Sequence, residues 1–425
     1  MRSIKSEEVT GYMKKSTKDK KNESMIKRNV EKLYENKGRF QVEYKTGSYV
    51  PPSPNQLNNY SPDEIFMNPQ RAKETALIIQ SKCKEFGISA TVVDINITSL
   101  ALTFALMLGE KVSVKSTKGL KLDFEVALGS EIEMDVASDD TNLVHISVKN
   151  MRRPMIGLKS VVESTEFKES SSPLSVAAGI GVNGNPLVID IAKAPHILIA
   201  GTTGSGKSVF IDDILLSILF HATPDEVRLL LIDPKLIELM PYNGIPHLLS
   251  PVLQSTEESL DAFLWIEDEM MRRYDSFSKE SVKDIDTYNL RMQEKDEKKL
   301  PRILIVIDEY MDLMMGSPKE INELIDRIAR LGRAAGIHII LATQLPVAKI
   351  VTPQIKANIP CRASFTVVDG RESRIILDKT GAERLLGNGD MIFSASDSMG
   401  AVHAQAAYVS DLELKNIVKY VVDNN

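Results

Sequence analysis

The densest chemistry in this 425-residue sequence is the run Gly201-Thr202-Thr203-Gly204-Ser205-Gly206-Lys207-Ser208. It fits the spacing G-x-x-x-x-G-K-[ST], in which glycines let backbone N–H groups converge on phosphate oxygens. Lys207 is the candidate partner of the β- and γ-phosphates, and the Ser208 hydroxyl is the candidate Mg²⁺ ligand. Such a loop must leave a strand and enter a helix. His196-Ile197-Leu198-Ile199-Ala200 supplies the strand, and Val209-Phe210-Ile211 opens the helix. The positive end of that helix adds to the attraction for an anion. Gly201 to Val209 is therefore the predicted cradle for ATP.

A second cluster lies about a hundred residues on, at Ile303-Leu304-Ile305-Val306-Ile307-Asp308-Glu309. An apolar strand that delivers two carboxylates to its carboxyl end places them where α/β sheets bind ligands. Asp308 is expected to order Mg²⁺ and its waters, and Glu309 to polarise an attacking water. The third is Leu341-Ala342-Thr343-Gln344, where the Gln344 side chain can sense the γ-phosphate or orient water. His196, His247 and His338 read as packed strand-edge or loop residues without an acid–base role.

These motifs need a sheet to hold them. From Pro173 onward, apolar runs at Ile197–Ala200, Leu229–Ile232, Ile303–Ile307, His338–Ala342 and Phe365–Val368 alternate with amphipathic helices. One such helix is 319–333, with Ile321, Leu324, Ile325, Ile328 and Leu331 at helical spacing. That alternation predicts an α/β fold, a mostly parallel sheet covered by helices on both faces. Residues 62–172 read as a separate small α+β domain. Asn68-Pro69 caps a helix there with Ala72, Ala76, Ile79, Cys83 and Phe86 on its apolar side. Strand patterns follow at Thr91–Ile97 and Leu143–Val148. Residues 1–61 form a basic tail closed by the Pro-rich linker Val50–Asn55, because successive prolines neither continue a helix nor donate to a sheet.

The chain carries 52 Lys+Arg against 58 Asp+Glu, a net charge of −6 that by itself disfavours nucleic acid. Residues 1–45, however, hold 13 basic and 7 acidic side chains, so the positive charge is concentrated in a segment that reads as a solvated tail or a phosphate grip. Cys83 and Cys361 provide neither a disulfide framework nor metal-ligand spacing, which implies a reducing compartment. Leu100–Leu108 is the longest apolar run and falls short of the ~20 residues of a membrane helix. A cytoplasmic protein without a membrane span or signal peptide is expected.

Around the phosphate and acid motifs the sequence resembles the FtsK/SpoIIIE double-stranded DNA translocases. The runs that carry the resemblance are Gly201–Val209, Asp233-Pro234-Lys235 with Glu238-Leu239, Gly244-Ile245-Pro246-His247-Leu248-Leu249, Asp308–Met315, Arg333–His338, Ile355–Pro360 and Gly387-Asn388-Gly389-Asp390-Met391. The match runs from about Pro173 to Val422, and 62–170 is similar to the family's smaller domain. The resemblance implies a RecA-like P-loop ATPase, a homo-oligomeric, hexameric ring around duplex DNA, and ATP at each subunit boundary. Such a site takes an arginine from the neighbouring subunit. Arg362 matches that position, with Arg330 and Arg333 as rivals. Arg371 and Arg374 fall where the family has a pore-facing loop and are the candidate DNA contacts.

Three departures qualify what is carried over. Thr343-Gln344-Leu345-Pro346 stands where the family usually has Thr-Gln-Arg-Pro, removing a positive charge near the phosphates. The hairpin Ser394–Gly400 holds no Lys or Arg. No winged-helix reader and no membrane anchor is expected within these 425 residues. The leading expectation is an ATP-driven motor that moves along duplex DNA without reading bases. A conjugation-coupling or protein-secretion ATPase of the same fold is the alternative, and a nucleotide-gated adaptor is disfavoured by Glu309.

Overall fold

The computed structural model describes residues 40–42, 48–60, 68–98, 100–109, 112–136, 143–150, 155–316, 318–395 and 400–425. The basic segment expected over 1–45 lies outside these apart from 40–42, as does the tip of the 394–400 hairpin.

Two sheets organise the chain. In the first, Asn68 caps α1 (Pro69–Glu85) by accepting from the Gln70 N–H, with proline at the first helical position. Its buried stripe is Ala72, Ala76, Ile79 and Cys83. Phe86 lies just past the helix end and is half exposed, so it does not extend the stripe as the spacing suggested. Strands β1 (Ala90–Ile97) and β2 (Ala101–Leu108) lead to α2 (Val114–Gly119) and α3 (Lys121–Leu128), then to β3 (Ile132–Val136) and β4 (Leu143–Lys149). They form an antiparallel sheet of order β1-β2-β4-β3. Strand alternation turns Leu102, Phe104 and Leu106 into a core with Ile79 and Phe124 from the helices. Thr103 stands on the other face and hydrogen-bonds Ser147 at 2.9 Å.

Short helices α4 (Leu158–Val162) and α5 (Thr165–Lys168) introduce the second, nine-stranded sheet. Its elements are β5 (Ser175–Gly181), β6 (Pro186–Asp190), β7 (His196–Ala200), α6 (Lys207–His221), β8 (Val227–Ile232), α7 (Thr256–Lys279), α8 (Ile285–Glu294) and β9 (Arg302–Ile307). After these come α9 (Tyr310–Leu313), α10 (Pro318–Ala335), β10 (Ile337–Thr343), α11 (Pro353–Asn358) and β11 (Cys361–Ser364). The chain ends with α12 (Gly370–Leu377), β12 (Asp390–Ser394), β13 (Ala401–Ala406) and α13 (Asp411–Asn424).

The order is β6-β5-β13-β12-β11-β7-β10-β9-β8. The block β11-β7-β10-β9-β8 is parallel, and β12, β13, β5 and β6 extend it antiparallel. Alternate residues of the parallel strands feed two cores, as a sheet covered on both faces requires. Ile197 and Ile199 pack toward α6 and α13, whereas Leu198 and Ala200 pack toward α7 and α10.

The strand read at Phe365–Val368 lies four residues earlier. Cys361 to Ser364 pair with Ile197 to Ala200, and beyond the strand the Phe365 N–H still donates to the Ala200 carbonyl at 2.8 Å. Phe365 and Val367 are buried there as a plug, so their apolar character marked burial without marking extended pairing.

Residues 48–60 lie along the large sheet's domain. The Tyr49 hydroxyl donates to the Leu219 carbonyl at 2.6 Å, and Leu57 joins the core. Asn58 N–H and the Tyr60 hydroxyl donate to the two carboxylate oxygens of Glu413, at 2.6 and 2.8 Å. The two sheets meet at Thr98, whose hydroxyl donates to the Val182 carbonyl at 3.1 Å. They also meet at His403, which sits 2.9 Å from Glu133 of β3 and 2.5 Å from Asp390. Burial alone would lower the His403 pKa, but the two carboxylates outweigh it and raise it. Glu133 resists its own burial through His403 and Lys149, which bring it down to about 2. No helix among the described residues is long and apolar enough to cross a membrane.

Candidate active site

Between β7 and α6 the chain turns on Gly204 and Gly206, with φ of 76° and 111°. A Cβ at Gly206 would lie 2.5 Å from the backbone nitrogen of Gly389, so only glycine fits. That contact is part of a brace. Gly389 N–H donates to the Ser205 carbonyl at 2.8 Å, and the Gln405 amide donates to the Asn388 carbonyl at 2.6 Å. On the other side, Thr202 N–H donates to the Thr366 carbonyl at 2.9 Å, which is where the displaced β11 segment is used. The loop's shape is thus fixed by residues far away in sequence.

Lys207 opens α6, a helix buried almost all round, and is itself buried. Its ammonium donates to Asp308 Oδ1 at 2.7 Å and to the Asp308 carbonyl at 3.1 Å. Asp308 and Glu309 stand at the end of β9, and β10 lies between β9 and β7. Glu309 Oε1 accepts from the Thr343 hydroxyl at 2.8 Å, and Oε2 accepts from the Gln344 N–H at 3.0 Å. The Gln344 side chain accepts from the Thr203 hydroxyl at 3.0 Å, linking β10 to the phosphate loop.

A cavity of about 410 Å³ opens over the loop, lined by Lys207, Ser208, Gln344 and Asn388 on its polar side and by Met155 and Tyr408 on the other. Glu238 also lines it, a side chain to which the sequence reading gave no role. Its carboxyl is raised by burial and then by the neighbouring charge of Asp308, while the nearby Ser208 opposes the rise. Glu238 is placed by Asp233. Five successive backbone N–H groups, from Lys235 to Leu239, donate to the Asp233 carboxylate at 2.9 to 3.0 Å. The Asp-Pro-Lys sequence carried the signal for such a turn.

Ser208, Asp308 and Glu238 together offer hard oxygen donors. Mg²⁺ is held by one or two carboxylates plus waters and substrate phosphates rather than by a full protein cage. Ser208 and Asp308 fit that chemistry. Among the described residues no group of three His, Cys, Asp or Glu side chains is arranged to hold a metal alone.

The remaining candidates lie apart from this cavity. Arg362, on β11, donates to the Ile376 carbonyl at 3.0 Å and pairs with Asp378. Arg330 and Arg333, near the carboxyl end of α10, line a separate groove with Arg302 and Asp286 at the amino ends of β9 and β10, the end opposite the acid pair. Arg371 and Arg374 are exposed on α12, not in a loop as the resemblance implied. Asp369 caps that helix by accepting from the Arg371 and Glu372 N–H groups. The Asp-x-x-Glu spacing of Asp369 and Glu372 is the local signal for this helix start.

A phosphate loop between β7 and α6, with an acid pair one strand removed on a parallel sheet, defines a RecA-like P-loop ATPase fold. Residues 157–348 match the FtsK/SpoIIIE family and residues 50–150 match the FtsK alpha domain. The chain is 38% identical over 392 residues to the DNA translocase FtsK of Haemophilus influenzae, covering 86% of this chain and 74% of that one. It is 39% identical over 402 residues to the DNA translocase SftA of Bacillus subtilis, covering 94% of this chain and 42% of that protein. This chain belongs to the FtsK/SpoIIIE family. It spans about half the length of several relatives, 42% of SftA and 54% of the FtsK of Caldanaerobacter subterraneus. Among solved structures, the pCW3 conjugation coupling protein TcpA aligns with a TM-score of 0.56 at 23% identity, over 83% of this chain and 99% of that one. The cytoplasmic domain of the Type VII secretion ATPase EccC of Thermomonospora curvata aligns with a TM-score of 0.55 at 24% identity, over 63% of this chain and 34% of that one. At such identities both speak for the fold alone.

Proposed function

We propose that this chain hydrolyses ATP, with Mg²⁺, to move along double-stranded DNA as a homo-oligomeric, hexameric ring that does not read bases. What carries the reading is a P-loop site complete in its acid pair, in a chain closely similar to proteins named DNA translocases. Lys207 leaves Asp308 to meet the β- and γ-phosphates, and Asp308 and Ser208 then serve the metal. Glu309 polarises the attacking water, and Gln344 reports the γ-phosphate. Arg362 lies outside its own subunit's cavity, in keeping with service to a neighbour. Arg371 and Arg374 grip the DNA backbone. The proposed division is a tail and linker over 1–61, a small α+β domain over 62–172 and a motor domain over 173–425, with 48–60 and helices α4 and α5 packed against the motor domain. Cys83 and Cys361, both buried thiols, accord with work in the cytoplasm.

The test is ATP turnover with and without linear duplex DNA, with Glu309→Gln as control. We expect DNA to stimulate the parent protein, and Glu309→Gln to bind ATP while losing about 10² or more in rate. Turnover indifferent to duplex DNA would overturn the translocase reading.

A further inference from the structure

Glu309 does not line the nucleotide cavity. It is 3% exposed, and each carboxylate oxygen is engaged on the side of β10: Oε1 by the Thr343 hydroxyl and Oε2 by the Gln344 N–H. Lys235 approaches Oε2 from outside at 3.9 Å and binds Asp312 at 3.2 Å. Gln344 faces two ways. Its N–H holds Glu309, while its side chain lines the cavity and contacts Thr203 of the phosphate loop.

We infer that Thr343 and the Gln344 backbone park Glu309 away from the reacting water, and that engaging the Gln344 side chain releases it. Thr343 is then a positioning residue that restrains hydrolysis. This rests on Glu309 as the water-polarising carboxylate. A carboxylate satisfied by two donors is drawn toward them, and charge-assisted bonds of this kind are the strong ones. Thr343 is fully buried, and its backbone pairs with Ala200 at the root of the phosphate loop. The hydroxyl therefore stays fixed while the Gln344 side chain, at the strand end, can move. A change at the phosphates reaches Gln344 and removes one of the two holds on Glu309.

Thr343→Val keeps the β-branched shape and deletes the hydroxyl. The expected result is a DNA-free kcat raised on the order of tenfold, the factor set by one hydrogen bond to a charged group. KM for ATP should stay unchanged, and the ratio of DNA-stimulated to DNA-free turnover should fall. Thr343→Ser should restore parental behaviour, and Thr343→Ala should repeat the gain if valine disturbs folding. Adding Glu309→Gln to Thr343→Val should abolish the gain. A kcat lowered equally with and without DNA in both the Val and Ala variants would overturn the parking role, as would a gain that survives Glu309→Gln. If Glu309→Gln alone hydrolyses at the parental rate, the assignment of Glu309 itself fails.

Discussion

The Lys207 ammonium and the Asp308 carboxylate, 101 residues apart in sequence, form a buried ion pair at 2.7 Å. In the proposed function each group has a different partner, the lysine a phosphate and the aspartate a metal. Together they cancel one another's charge in a site that has little access to water. Removing one member of a buried pair leaves the other uncompensated, which costs about 3–5 kcal/mol. Lys207→Ala should therefore lose nucleotide binding and turnover and also unfold at lower temperature without nucleotide. Lys207→Ala combined with Asp308→Asn should recover much of the stability and none of the activity. Thermal unfolding alongside a fluorescent-nucleotide titration separates the two effects. Unchanged stability in the single variant would mean that the pair is not formed in solution.

Arg362 is committed within its own subunit to Asp378 and the Ile376 carbonyl. Lys356 and Arg362 hold the Asp378 carboxyl below the usual range. Arg362→Ala should bind ATP normally and lose roughly 10³ or more in rate, the scale of a missing arginine finger. Mixed with Lys207→Ala in one ring, it should regain part of its activity, because some boundaries then pair an intact loop with an intact arginine. No recovery after demonstrated co-assembly would move the role to Arg330 or Arg333.

The parts legible in the sequence were those whose cause is local. An apolar strand entering Gly201–Ser208 located β7 and α6, and the runs at 229–232, 303–307 and 338–342 located β8, β9 and β10. Strand β11 escaped because Arg362 and Ser364 break its apolar pattern, while Phe365 and Val367 beyond it are buried outside the regular strand ladder. The antiparallel extension from β12 to β6 joins strands more than two hundred residues apart, which no local pattern reports. The same holds for the Gly389 brace under the phosphate loop. Helix α12 was legible in principle through Asp369 and Glu372, yet the resemblance suggested a loop.

Asp212 follows the phosphate loop on α6 and accepts from the Tyr242 hydroxyl at 2.8 Å. Burial pushes its carboxyl up to about 8, with Glu238, Asp411 and Asp308 adding to the rise and Tyr242 opposing it. Asp213 beside it is fully buried, with both oxygens unbonded, and is raised in the same direction. An unfolded aspartate titrates near 3.9. Between that value and about 8 the folded state binds more protons at Asp212 than the unfolded state, so stability falls as pH rises through this window. Asp212→Asn keeps the acceptor for Tyr242 and removes the titration. Its melting temperature should exceed the parent's at pH 8 by at least about 2–4 °C, the shift for roughly 1 kcal/mol in a domain of this size. The difference should shrink toward pH 5. An equal difference at both pH values would locate the effect in packing instead.

DNA binding should be indifferent to base sequence and steeply dependent on salt. Outside residues 1–45 the chain has more acidic than basic side chains, so attraction to phosphate must come from a concentrated basic surface. Arg371 and Arg374 sit one helical turn apart on α12, and the Arg371 side chain is 90% exposed with Asp369 no nearer than 4.0 Å. Repeated around the proposed ring, this pair would multiply a weak contact in each subunit. Each phosphate neutralised contributes a slope of about −0.9 in log affinity against log salt. Replacing both arginines with alanine should flatten the slope and remove DNA stimulation while leaving DNA-free turnover largely intact. Deleting residues 1–45 should weaken capture and spare the stimulated rate. The two slopes, measured by anisotropy with one labelled duplex, are the decisive comparison. If the double variant keeps its slope and the deletion loses it, the grip on DNA lies in the amino-terminal segment and not on α12.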